Sequence, residues 1–111
     1  MEENLYSGMA VGGPMTGELI EGRFPNGILF VNKPTNQAWL YDYYVGLSKF
    51  YVRPVGYDLI WDGMTFDQKM EVTKETVLSG VDPTRELDKD KALIAAEGPN
   101  YEVRALPKEV R

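Results

Sequence analysis

The hydrophobic pattern changes character once along the chain, close to Gly63. Before that point apolar residues come in short runs broken by glycine, proline and asparagine. After it they recur at intervals of three and four. The first regime predicts strands and the second helices. The densest run is Gln37 to Val55, QAWLYDYYVGLSKFYVRPV, where two β-favouring stretches flank Gly46-Leu47 and so predict a hairpin. On its first strand Gln37, Trp39, Tyr41, Tyr43 and Val45 share one face, and Ala38, Leu40, Asp42 and Tyr44 share the other. Both faces are mainly apolar, so this strand should be covered on both sides. On the return strand Phe50 and Val52 oppose Lys49, Tyr51 and Arg53, and Pro54 marks its end as an edge or a bulge.

The other elements are arranged around this hairpin. Leu5 to Val11 predicts a first strand, broken by Gly12-Gly13-Pro14. Glu18 to Arg23 predicts a second, followed by the turn Phe24-Pro25-Asn26-Gly27. The run from Gly27 to Asn32, GILFVN, is nearly all apolar and predicts a strand buried on both faces. Tyr57 to Trp61 reads as one more strand, ended by Asp62-Gly63. Thr65 and Gln68 form a capping box, and Phe66, Met70, Thr73 and Val77 make the stripe of an amphipathic helix that stops at Gly80. Asp82-Pro83 has the form of a second N-terminus, predicting a helix to about Glu97 before Gly98-Pro99. Its first two turns are almost wholly charged. Tyr101 to Arg111 is a polar tail in which Tyr101 and Val103 alternate as a short edge strand would. The expected fold is α+β: a small twisted, mainly antiparallel sheet of about five strands, a packing helix, a second exposed helix and an extended tail. Residues 1–80 form the sheet and its packing helix in a single domain. Residues 81–111 are the C-terminal helix and tail, expected to contact a partner.

Composition narrows the chemistry. The 111 residues contain no cysteine and no histidine. That removes histidine- or cysteine-based nucleophile sets, thiolate or imidazole zinc sites, and the commonest general base near neutral pH. There is no phosphate-binding glycine loop and no dinucleotide fingerprint, and no cofactor or metal is implied. No apolar run is long enough to span a bilayer, and the N-terminal residues, which lack a basic stretch followed by an apolar one, are not expected to be a signal peptide. The net charge of −5 is spread along the chain, and Lys33, Lys49 and Arg53 are scattered, which argues against nucleic acid as a partner. Asp42, Asp58 and Asp62 lie in the aromatic region, where a carboxylate pair would suit glycoside hydrolysis. In so short a chain they read better as turn, cap or tyrosine-paired residues. Eleven of the thirteen aromatics fall between Phe24 and Phe66, and a domain this small needs them as core. The chain is therefore expected not to be an enzyme.

Binding surfaces remain. The basic–aromatic–basic row Lys49, Tyr51 and Arg53 is one candidate interface. Arg85 and Lys89 on the charged second helix, with Tyr101, Val103 and Leu106 in the tail, make another. Gly12-Gly13-Pro14-Met15-Thr16-Gly17 resembles the opening G-G-P-L-D-G of small uncharacterised proteins of bacteriophages and actinobacteria, with Met15-Thr16 in place of Leu-Asp. In those proteins aromatic strands follow, as Trp39-Leu40-Tyr41 does here. The resemblance implies a small phage accessory protein and carries over no catalytic residue. The expectation is a protein-binding component, possessing protein partners or self-assembling, in a virion or in the host cytoplasm. The alternative is a soluble inhibitor of a host defence enzyme, or a protein that sequesters a small ligand.

Overall fold

The aromatic run forms the two central strands of one sheet, β4 (Gln37–Tyr44) and β5 (Lys49–Val52), paired antiparallel with Tyr43 opposite Phe50. The computed structural model describes residues 6–23, 27–57, 60–86 and 102–106. Around the hairpin lie β1 (Tyr6–Val11), β2 (Leu19–Gly22), β3 (Ile28–Asn32) and β7 (Glu102–Ala105), in the order β2-β1-β5-β4-β3-β7. The short β6 (Arg85–Glu86) pairs with Gln37 and Ala38, beside the part of β4 that β5 does not reach. The sheet is mixed: β1–β5 and β3–β7 are parallel and the other pairs antiparallel.

The sheet curls until its outer strands nearly meet. Arg104 on β7 donates to the Glu21 carbonyl at 2.8 Å, and the Arg23 amide donates to the Glu102 carboxylate at 3.4 Å. Burial works to raise the Glu102 carboxyl, but its bonds from Arg104 and the Arg23 amide outweigh that and hold it below the usual carboxylate range. The result is a barrel-like sheet whose seam is bridged by side chains rather than by a ladder of backbone bonds. Alternation along each strand sends Ala10, Ile20, Ile28, Phe30, Trp39, Tyr41, Phe50 and Val52 inward to form the main core.

Tyr41 explains the glycine-rich motif. Its hydroxyl donates to the Gly12 carbonyl at 2.7 Å and accepts from the Met15 amide at 3.0 Å. Gly13 has φ +67°, and a side chain there would fall on the same hydroxyl. The turn after β1 is thus folded over one buried phenol. Tyr41→Phe is expected to cost about 1–3 kcal/mol, because it strands two backbone groups away from water. Thermal unfolding should show this as a drop on the order of 10 °C.

The opposite face of β4 and β5 is covered by α1 (Phe66–Ser79). Both halves of its capping box are present: Gln68 N–H donates to Thr65 Oγ1, and Thr65 N–H donates to Gln68 Oε1. Met70 packs with Tyr44, Tyr51 and Val11, and Thr73 is buried beside it.

Three expectations are corrected. The sheet has seven strands among the described residues rather than about five, because Arg85–Glu86 and Glu102–Ala105 join it. Among the described residues there is one α-helix, not two. Asp82 accepts from the amide and the hydroxyl of Thr84, an Asx-type turn, and Arg85-Glu86 then join the sheet. Trp39 Nε1 donates to Thr84 Oγ1 at 2.9 Å and holds that turn on the barrel. Residues 87–97 of the expected helix lie outside the described residues. Nor do the described residues of the expected strand from Tyr57 to Trp61 belong to the sheet: Trp61 opens a 3₁₀ turn, Trp61–Gly63, and Asp58 and Leu59 lie outside the described residues. Both edges of β5 are already taken by β1 and β4, so chain leaving Pro54 meets no open edge there.

Candidate functional site

The side chains of β4 that face α1 end in a carboxylate and then an aromatic, Asp42 and Tyr44. Arg53, just past β5, continues the pairing through its amide bond to the Leu40 carbonyl at 2.7 Å. That register puts its guanidinium beside Asp42. Arg53 Nε donates to Asp42 Oδ2 at 3.0 Å and Nη2 to Oδ1 at 2.8 Å, a two-pronged ion pair. Both residues are buried. Burial pushes the Asp42 carboxyl up, while Arg53, and more distantly Lys69 and Arg85, act in the opposite sense.

Trp61 forms the next layer. The Arg53 guanidinium lies 4.9 Å from its ring centre and the Lys69 ammonium 5.4 Å away. Tyr44 stands edge-on to Tyr51, at 5.2 Å between centres, and to Phe66, at 5.6 Å. Its phenol is pushed up to about 12, first by burial and then by the charge of Asp42. The Tyr44 and Thr73 hydroxyls are buried side by side, yet neither makes a hydrogen bond of normal geometry. Asp42, Tyr43, Tyr44, Arg53, Trp61, Phe66 and Lys69, with Asp62 at the rim, surround a cleft of about 230 Å³ between the β4–β5 hairpin and the first turns of α1. A more open groove lies along β3 and β7, walled by Leu29, Val31, Val103 and Ala105.

Comparison with protein-family models, with curated proteins and with solved structures finds no match.

The residues singled out from sequence scatter over this framework. The faces of β5 alternate as expected, but Tyr51 and Arg53 are buried and only Lys49 of that row is exposed. Arg85 is buried as well, on a strand rather than a helix. Val103 is exposed on β7, whereas Leu106 packs against the barrel core. Lys89 and Tyr101 lie outside the described residues. Of the three aspartates, Asp42 and Asp62 line one cleft, but both oxygens of Asp42 are engaged by Arg53. Asp58 lies outside the described residues. Among those described, no group of three carboxylates could hold a metal ion. Sequence reasoning did not find Lys69, Trp61 or Phe66 as neighbours. The one available signal was Lys69 itself, a cation three residues after Phe66 and next to the buried Met70 on the same helix.

Proposed function

We propose that this chain is a non-enzymatic, protein-binding accessory protein of phage type, docked as a structural component of a larger assembly such as a virion. One observation carries the reading. Where β2, β1 and β5 lie side by side, Leu19, Met9 and Lys49 occupy one row of the outer face by register, and α1 leaves it uncovered. Leu19 is 71% exposed and Met9 49%. A cross-strand pair of large apolar side chains left in water, flanked by a cation, suits a surface that another protein covers. Engagement of Asp42 by Arg53 weighs against carboxylate hydrolysis in the neighbouring cleft.

The test is sedimentation. In a density gradient of lysate from cells producing the assembly, the chain should travel with the particles. The variant carrying Met9→Asp and Leu19→Asp should stay at the top while melting within about 3 °C of the parent, since both side chains are on the surface. A parent protein that sediments alone as a monomer would overturn the reading.

A further inference from the structure

We infer that the cleft between the β4–β5 hairpin and α1 binds a small organic anion with a flat apolar body, a class typified by aromatic carboxylates. This does not rest on the docking surface, which is formed by β2, β1 and β5.

Charge gives the sign of the ligand. The Asp42 carboxylate and Arg53 guanidinium neutralise each other through two hydrogen bonds, and neither is offered to a guest. Lys69 is left. It is half-buried, it is held near the Trp61 ring, and among the described residues no carboxylate lies within ion-pair distance of it. Asp62 is the one opposing group. It is exposed at the rim, where water screens it, whereas Lys69 faces a partly enclosed space of lower polarisability. The balance inside the cleft favours one negative charge placed at Lys69.

The walls give its shape. Phe66 is 53% exposed although it opens the stripe of a packing helix, so its ring is presented at the mouth rather than spent on the core. Tyr44, edge-on to it, forms the adjoining wall. Two rings at an angle leave a slot that a planar body fills by stacking on one and meeting the other edge-on. A volume of about 230 Å³ admits a molecule of one ring and one acidic group.

The test uses the full chain, isotope-labelled, titrated with benzoate, benzylamine and inorganic phosphate and followed by NMR. Benzoate should shift the signals of Phe66, Lys69 and the Trp61 indole and saturate with a Kd on the order of 1 mM, as its few atoms allow. Benzylamine, of the same shape and opposite charge, should not bind, and phosphate, of the same charge without the ring, should bind at least about tenfold more weakly. Lys69→Gln should weaken benzoate by about tenfold or more. Phe66→Ala, a change at a half-exposed ring, supplies a second variant with the same expected direction and unchanged melting. No saturable benzoate shift up to about 20 mM would overturn the inference, given that range of affinity. So would equal binding of benzylamine or of phosphate, or benzoate affinity indifferent to both substitutions.

Discussion

Asp42→Asn is expected to lower the unfolding free energy by about 3–5 kcal/mol, the cost of taking one partner from a buried ion pair. Arg53 is only 3% exposed, and both nitrogens that reach Asp42 do so inside the fold. The substitution keeps the shape of the side chain and removes the charge that balances the guanidinium. The penalty comes from that stranded charge, so replacing both residues should recover much of it. The double variant Asp42→Leu with Arg53→Met is expected to lie within about 2 kcal/mol of the parent, as hydrophobic replacements of buried pairs generally do. Denaturant titration of the three proteins measures both numbers. A loss under about 1 kcal/mol for Asp42→Asn would place the pair in the class of solvent-screened surface contacts.

Gly27→Ala should be at least as damaging. Gly27 precedes β3 with φ +102°, and an added methyl group would land on the carbonyl of Tyr41, whose carbon is 2.8 Å away. That carbonyl belongs to the central strand, so neither side can yield without breaking the β3–β4 register, in which Ile28 faces Tyr41. The Gly27 carbonyl also accepts from the Glu102 amide at 3.0 Å, the bond that starts β7 on its path along β3. One methyl group therefore disturbs both neighbours of β3. The expected loss is more than about 3 kcal/mol, from the left-handed backbone and the clash together. In a domain of marginal stability this should appear as a protein that melts more than about 15 °C lower or fails to accumulate in soluble form. A melting point within a few degrees of the parent would show that the strands separate there easily.

The hairpin and the packing helix were legible because local and tertiary signals agree in them. QAWLYDYY and KFYV alternate with the strand period, and every aromatic on the inner face of β4 meets the core the pattern assigned it. Thr65 and Gln68 specify the start of α1 through bonds made within four residues. Asp82-Pro83 was misleading for a related reason. A carboxylate that accepts from an amide two residues on is the same local event in an N-cap and in an Asx turn. What decides between them is the open stretch of β4 at Gln37-Ala38, a partner far away in sequence. The parallel pairings were hidden for the same reason, since they join segments that turn chemistry does not connect. The cleft was the least legible feature. Phe66 and Lys69 come from a helix, Trp61 from a 3₁₀ turn and Tyr44 from a strand, and only the crossing of α1 over the hairpin brings them together.

The position of β7 has a consequence for how this molecule is made. It lies beside β3 but follows it by about 70 residues, so its loop-closure cost is high and its ladder forms late. During translation β1 to β5 leave the ribosome first and can curl around their aromatics, while the outer edge of β3 stays bare until the final strand is synthesised. Until then that edge presents unpaired backbone groups, and the tether to its own β7 favours the intramolecular strand over any other. A sheet edge closed only by the most distant strand is the part of this fold on which its correct closure depends last.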